Sequence, residues 1–196
     1  RGMRRHPGHG FLLALFVAAL AAVPAAAAPA PAGGIVYLEG QVAVDRVPAR
    51  IGQPVPSGAV VQTGPASVCE ITWGNRNIVQ VQENTRVVLG TARFAPGLDL
   101  ERGSVAAILN KLDAVTGRNS FRIRTPSAVA GVRGTAFFVK VEDAGSTYVC
   151  ACNGAVDVAR GLLRQAELAS SAHMARRFTR AGLATRITEP GLLYHD

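Results

Sequence analysis

The sequence has few of the residues that catalysis usually requires. It contains four histidines, three cysteines and one tryptophan among 196 residues. It has no G-x-S-x-G nucleophile motif, no phosphate-binding P-loop, no H-E-x-x-H motif and no dinucleotide fingerprint. Beyond the N-terminal region only His173 and His195 could serve as a base for a Ser or Cys nucleophile, and the spacing supplies no orienting acid. The sequence therefore predicts a protein that is not an enzyme.

A clustered run of basic residues is also missing. The formal net charge is +8, and +5 remains when Arg1, Arg4 and Arg5 of the N-terminal region are left out. The remaining arginines are scattered and are not interleaved with aromatics, so nucleic acid is not an expected partner. Arginine forms bidentate contacts with carboxylates and phosphates. An acidic protein surface, an anionic glycan or lipid head groups are therefore the candidate partners.

The N-terminal segment has the pattern of an export signal. Two arginines follow Met3, an apolar run extends from Phe11 to Val23, and an Ala-rich stretch reaches Ala30. This order is typical of a secretory signal peptide, which we assign to residues 1–30. The run is shorter than the roughly 20 residues that span a bilayer, and no cysteine follows it to carry a lipid. We expect a periplasmic or secreted mature chain that is not an integral membrane protein.

Short alternating apolar segments opened by glycine dominate the mature chain. The pattern Gly-x-Val recurs at Gly40, Gly58, Gly103 and Gly154. Glycine reaches positive φ at little steric cost, and valine fills the half-buried strand positions that follow. The sequence therefore predicts an all-β fold, a compact roll or solenoid-like arrangement of short strands with Gly turns. Residues 105–115 alone have some helical character, and residues after 160 fit a helix or two extended segments about equally well.

The stretch Phe121 to Val141 contains two predicted strands. In the first, Phe121 and Ile123 alternate with arginines, and in the second Phe137 and Val139 alternate with Phe138 and Lys140. Between the strands the backbone is expected to turn, since Pro126 removes a backbone donor and two glycines, Gly131 and Gly134, allow positive φ.

This stretch also carries a family signature. The signature is the run TPSAVAGVRGTAFFV. Before it, in order, come GGIVYLEGQVAV, GAVVQTGPASVCEITW, GNRNIVQVQENTRVVL and LDLERGSVAAIL, and after it comes STYVCACNGAVDV. This order of motifs resembles the FecR-type domain over residues 34–158. That domain is the periplasmic sensory part of iron-citrate transport regulators and of many stand-alone envelope proteins. In the regulators a cytoplasmic anti-sigma segment and a membrane span precede it, and we expect neither here.

The resemblance implies an all-β, non-enzymatic module that acts in the cell envelope through protein contact, in signal transduction. It implies a FecR-type domain at residues 34–160 and a C-terminal extension at 161–196. Its signature residues are Thr125, Pro126, Arg133, Gly134 and Thr135. Arg133 either ties neighbouring carbonyls or a carboxylate together, or belongs to a partner-binding surface.

The cysteines allow several hypotheses. Cys150 and Cys152 stand two apart, so both should project from one face of a strand. They are poorly placed to bond each other, but Cys69 could form a disulfide with either, or all three could be buried thiols. We expect no cofactor. The alternative is a Zn²⁺ or similar site made of Cys150, Cys152 and His173, in a metal-binding or thiol-redox protein, with His195 as a further ligand.

Export predicts a defined N-terminus for the mature protein. Cleavage should fall between Ala25 and Ala32, because charged, apolar and small residues occur in the order that signal peptidases recognise. Intact mass spectrometry of the protein purified from its exported fraction measures this directly. Retention of Phe11 to Val23 in the membrane fraction would contradict the assignment.

Overall fold

The protein was analysed as a computed structural model. It describes residue 2 and residues 31–73, 77–90, 97–109, 121–160 and 163–194, without the side chains of residues 31–32, 73, 133–135 and 163–165. The predicted signal peptide, apart from residue 2, and His195 lie outside these residues.

The described residues form fifteen β-strands. They are β1 (Pro31–Glu39), β2 (Val42–Val44), β3 (Val47–Pro48), β4 (Pro54–Pro56), β5 (Val60–Thr63), β6 (Val68–Trp73), β7 (Asn77–Val81), β8 (Arg86–Leu89), β9 (Gly97–Ile108), β10 (Phe121–Arg124), β11 (Val129–Asp143), β12 (Ser146–Arg160), β13 (Leu163–Ser170), β14 (Met174–Ala181) and β15 (Ala184–Thr188).

Hydrogen bonding connects the strands in the order β15-β14-β12-β11-β10-β9-β7-β6-β1-β4. Strands β2, β3, β5 and β8 form a branch that joins β9 through β8, and β13 pairs with β12. The result is a small closed barrel with further strands. The predicted all-β roll is confirmed, although β9, β11 and β12 are longer than the short strands that the sequence suggested.

The alternation of apolar residues predicts the buried faces correctly. Phe121 and Ile123 are buried while the arginines between and after them are exposed. In β11, Phe137 and Val139 point into the large core, and Phe138 lies on the opposite face in a second, smaller cluster. Both faces of β11 therefore bury apolar surface, which is why this strand lies near the centre of the molecule.

Glycine bends the strands where the sequence predicts turns. Gly40, Gly58, Gly103 and Gly154 all have positive φ, between 74° and 119°. Gly103 lies inside β9, where the strand changes partners. Residues 97–102 pair with β8 and β10, whereas residues 103–108 pair with β7 and β11. Gly103 is therefore a corner of the barrel.

Two local predictions are wrong. The turn expected between the two strands, from Pro126 to Gly134, is confined to Pro126 and Ser127, where Thr125 N–H donates to the Ala128 carbonyl at 2.8 Å. Strand β11 continues through the RGT motif, and Gly131 has ordinary φ. The helical character of residues 105–115 is not realised as far as Ile108, because Val105 to Ile108 belong to β9 and are paired on both edges. The tertiary pairing overrides the local helix preference.

The segment after residue 160 is extended. Strands β13 and β14 lie end to end along the same edge of β12, and β15 continues the sheet. Of the two alternatives for this segment, strands are therefore observed. The division at residue 160 between a domain and an extension stays a prediction.

No helix able to span a bilayer occurs in the described part of the chain.

The corner at Gly103 yields a stability prediction. A Cβ at this position would lie 2.2 Å from Thr85 Oγ1 and 2.6 Å from Thr85 Cα, in addition to the strain of φ +81°. We expect Gly103→Ala to lower the free energy of unfolding by more than the roughly 1 to 3 kcal/mol that backbone strain alone costs.

Two matched variants separate the causes in urea unfolding experiments. The backbone at Gly58 also has positive φ, but a Cβ there would meet no atom within 4 Å. The loss of unfolding free energy in Gly58→Ala should therefore report backbone strain alone. Gly131→Ala has neither problem and should unfold like the wild type. Equal stability of the Gly103 and Gly131 variants would contradict the requirement for glycine at position 103.

Candidate functional site

A line of irregular pairing crosses β11, β12 and the connection between β13 and β14. In β11, two residues, 134 and 135, lie opposite the single residue Gly154 of β12. One position further, Cys152 is left over between the pairs Ala136–Asn153 and Phe137–Ala151. On the other edge of β12, residues 171–173 lie opposite only two residues. The first two are β-bulges, which bend a strand and increase its twist. Residues 171–173 form the short connection between β13 and β14.

The predicted signature residues fall on this line or at the hairpin beside it. Arg133 pairs with Ala155, and the side chains of residues 133–135 lie outside the described part of the structure. The positive φ predicted for Gly134 and the two alternatives for Arg133 therefore stay predictions. The RGT motif nevertheless coincides with a bulge.

Thr125 and Pro126 form the hairpin between β10 and β11, where they have structural contacts. The Thr125 hydroxyl lies 2.7 Å from that of Thr147, which also contacts the Ser127 hydroxyl at 2.6 Å, and all three side chains are buried. The Pro126 carbonyl accepts a hydrogen bond from Arg180. The sequence pattern did not single out Ser127 or Thr147, because their partners are distant in the chain.

The bulge at Cys152 and the connection between β13 and β14 bring Cys150, Cys152 and His173 together. One sulfur or nitrogen from each lies within 4.8 Å of the others, and Cys150 Sγ lies 3.8 Å from His173 Nδ1. Cys150 is fully buried, while Cys152 and His173 are half-buried. His173 has a positive φ of 42°, and its backbone N–H donates to the Cys152 carbonyl at 3.2 Å. The structure thus collects the three side chains that the sequence named as a possible metal-ligand set.

The cysteines differ in their surroundings. None of the three forms a disulfide in the structure, and Cys69 lies in the large core while Cys150 lies in the second cluster. A hydrogen bond with Cys152, followed by burial, raises the pKa of the Cys150 thiol well above its usual range. Burial and then the charge of Glu70 raise the pKa of Cys69 to about 12. A reactive cysteine has a lowered pKa, so neither group has the character of a catalytic thiolate.

The C-terminal residues cover the second cluster. This cluster contains Phe138, Tyr148, Cys150 and Ala175. The Tyr194 ring packs against those of Tyr148 and Phe138 with centroids 4.9 and 6.3 Å apart. The Tyr148 hydroxyl donates to the Gly191 carbonyl at 3.2 Å. Residues 189–194, hereafter the C-terminal tail, therefore lie across the outer face of β11 and β12.

A charged group anchors the C-terminal tail. Arg177 donates to both carboxylate oxygens of Glu142, at 2.5 and 2.7 Å, and Tyr194 donates to Glu142 at 2.6 Å. The hydrogen bond from Arg177 holds the pKa of Glu142 below its usual range, against the opposing effect of burial. Lys140 lies 4.0 Å above the Tyr194 ring. Sequence reasoning missed this group, since residues 35 and 52 positions apart meet in it and no local pattern marks them.

A groove borders the second cluster. Its volume is about 320 Å³, and it is lined by Ile78, Ile108, Phe138 and Cys152 together with Glu70, Gln80, Gln82, Ala106, Ala107, Ala136 and Phe137. Ile78 and Ile108 form a cross-strand pair and are 37% and 63% exposed. An apolar strip that ends at the Cys152 side chain is thus open to solvent.

The region from β5 to the end of β12 corresponds to a known family. The sequence model described as "FecR protein" matches residues 59–157, half of the chain. The chain belongs to the FecR protein family. The predicted resemblance is confirmed, and the match includes the RGT motif, Cys150 and Cys152. The family places the protein among regulatory modules of signal transduction.

Solved structures agree on the fold of this FecR-family chain. Two crystal structures, at 1.65 and 2.50 Å resolution, of a protein from Parabacteroides distasonis ATCC 8503 assigned as an anti-sigma factor each superpose with a TM-score of 0.52 at 16% identity. Each superposition covers 66% of this chain and 59% of the other. This likeness supports the all-β fold. Comparison with curated protein sequences finds no match.

The Glu142 group predicts how stability depends on pH. Because the folded-state pKa of Glu142 is lowered, its contribution is fully present above the unfolded pKa of about 4.3 and is lost as the pH falls through the folded value. We expect Glu142→Gln to be less stable than the wild type at pH 7 and to approach it at pH 3. Urea unfolding at both pH values measures the difference.

The exposed ion pair between Arg86 and Glu101 provides a control. The Glu101 side chain is 47% exposed, so solvent should screen its contribution. Glu101→Gln should therefore leave the pH dependence of the wild type unchanged. A Glu142 variant with the same pH dependence as the wild type would show that this carboxylate is not coupled to the fold.

Proposed function

We propose that this protein is an exported FecR-type module that transmits a signal in the cell envelope by contact with a partner protein and catalyses no reaction. The observation that carries the proposal is the match of the FecR sequence model to residues 59–157 on an all-β fold. Domains of this family are typically found in the periplasm as parts of envelope signalling proteins. The sequence pattern of residues 1–30 fits such a location.

The chemistry of the described residues supports a contact role. Thr125, Ser127 and Thr147 use their hydroxyls to hold a hairpin, and Glu142 and Arg177 hold the C-terminal tail. These polar groups are engaged in maintaining the fold, and the Cys69 and Cys150 thiols have raised pKa values. The assignment of the structural neighbour as an anti-sigma factor favours a signalling route that ends in transcription.

The surface around Ile78 and Ile108 is the first place to seek the partner contact. An exposed pair of isoleucines next to a groove is unusual on a face that otherwise carries polar groups such as Gln80 and Gln82. Apolar side chains rimmed by amides suit the apolar core and polar rim of a protein interface. An anionic glycan would bind instead through the arginines, and this alternative is an outcome of the test.

Site-directed photocrosslinking in cells tests the proposal. A photoreactive phenylalanine analogue at Ile108 in the full chain should yield one discrete protein adduct in the exported fraction. The same analogue at Leu183, which is fully exposed in the β14–β15 turn, should yield none and serves as the control. Ile108→Asp should abolish the adduct formed from a crosslinker placed at Ile78.

Two results would overturn the proposal. Absence of any adduct from either isoleucine, combined with cosedimentation of the purified protein with cell-wall glycan, would favour the glycan alternative. Recovery of the full chain in the cytoplasmic fraction would remove the envelope location.

A further inference from the structure

The cluster of Cys150, Cys152 and His173 has the dimensions of a metal site. In a tetrahedral zinc site with Zn–S of about 2.3 Å and Zn–N of about 2.0 to 2.1 Å, ligand atoms lie roughly 3.6 to 3.8 Å apart. Cys150 Sγ and His173 Nδ1 are 3.8 Å apart, and all three ligand atoms lie within 4.8 Å of one another.

The backbone assembles this cluster by an unusual route. Residues two apart on a regular strand project side by side and diverge, but Cys152 occupies a bulge that increases the local twist. His173 comes from the connection between β13 and β14 and has a positive φ, which few non-glycine residues adopt. Its backbone N–H donates to the Cys152 carbonyl, so this connection is hydrogen-bonded to the bulge. Strained backbone of this kind tends to occur at functional sites.

One side of the Cys150, Cys152 and His173 cluster is buried, and the other side faces the groove. Phe138, Tyr148 and Ala175 cover the buried side of Cys150. Cys152 belongs both to the cluster and to the lining of the groove beside Ile108. A fourth ligand, either water or an atom of a bound partner, can therefore reach the cluster from the groove. Three protein ligands with one open position are typical of zinc sites at which a further ligand exchanges.

We infer that Cys150, Cys152 and His173 bind one soft divalent transition-metal ion, with Zn²⁺ as the expected occupant and with the fourth position facing the groove. Two thiolates and an imidazole suit Zn²⁺ far better than Mg²⁺ or Ca²⁺, which take oxygen ligands. This site goes beyond the family role. Metal binding here does not require the partner protein, so the failure of one proposal leaves the other standing.

Metal titration of the purified, reduced mature chain tests the site. The wild type should bind one equivalent of Zn²⁺ in competition with a chromophoric chelator. Substitution with Co²⁺ should produce the intense visible bands of a tetrahedral thiolate complex. A ligand directly on the metal should matter at least as much as an outer-shell residue, whose loss costs 10- to 100-fold in affinity. Cys152→Ser and His173→Asn should therefore each weaken Zn²⁺ binding by about 100-fold or more.

The variants were chosen so that folding does not confuse the result. Cys152 and His173 are half-buried, and asparagine tolerates the positive φ of position 173. Cys69→Ala removes the third thiol, which lies in the other core, and should bind Zn²⁺ like the wild type. Circular dichroism of each metal-free variant checks that the β fold is retained.

Three results would overturn the inference. One is a wild type that takes up no stoichiometric Zn²⁺ or Co²⁺. Another is Zn²⁺ binding that survives in folded Cys152→Ser and His173→Asn or is lost in Cys69→Ala. The third is a disulfide joining Cys150 to Cys152 in the protein as isolated, together with an inability of the reduced form to bind metal.

Discussion

The closure of the sheet depends on three long strands that bend. Strands β9, β11 and β12 contain twelve or fifteen residues each, and a closed sheet cannot be built from flat strands of this length. Each of them bends where its register shifts or a glycine adopts positive φ, as at Gly103 and Gly154. The bends let one strand serve two parts of the barrel. Glycine makes these bends possible without backbone strain, and β11 buries apolar side chains on both faces of the sheet.

The same constraint decides where chemistry can occur. A regular strand spreads its side chains evenly, whereas a bulge redirects one of them. In β12 the residue at the bulge is Cys152, and His173 reaches it from the connection between β13 and β14. The RGT motif supplies the bulge on the other side of β12. The family signature and the cysteine pair, which look unrelated along the chain, are thus neighbours across the sheet.

The patterns that predicted the structure well are local ones. Alternation in Phe121 to Thr125 and in Phe137 to Val141 indicated the correct buried faces, because side-chain direction in a strand has a period of two. The Gly-x-Val repeats indicated positive φ, because glycine has no Cβ and adopts this conformation at little steric cost. The turn was predicted to be longer than it is because glycine next to a β-branched residue also suits a bulge, and the sequence does not distinguish a chain that reverses from one that kinks.

Contacts between distant parts of the chain could not be predicted in the same way. Nothing local indicates that Tyr194 packs on Tyr148, or that Glu142 receives both Arg177 and Tyr194. The cluster of Cys150, Cys152 and His173 could be predicted only in part. The residue types suggested metal binding, but the position of His173 depends on how residues 163–179 pair with β12. Once those strands were in place, the geometry followed from the register alone.

The C-terminal tail connects this geometry to the rest of the molecule. Tyr148 lies two residues before Cys150 on the same face of β12. Its side chain packs in the same cluster as Cys150 and also contacts the Tyr194 ring. Removal of the Tyr194 ring from this position would expose Phe138 and Tyr148 to water and raise the local dielectric constant around Cys150. The Glu142 carboxylate therefore helps to hold the Tyr194 ring against two of the residues that pack on Cys150. A sheet whose outer face was simply polar would provide no such shielded position for a thiol.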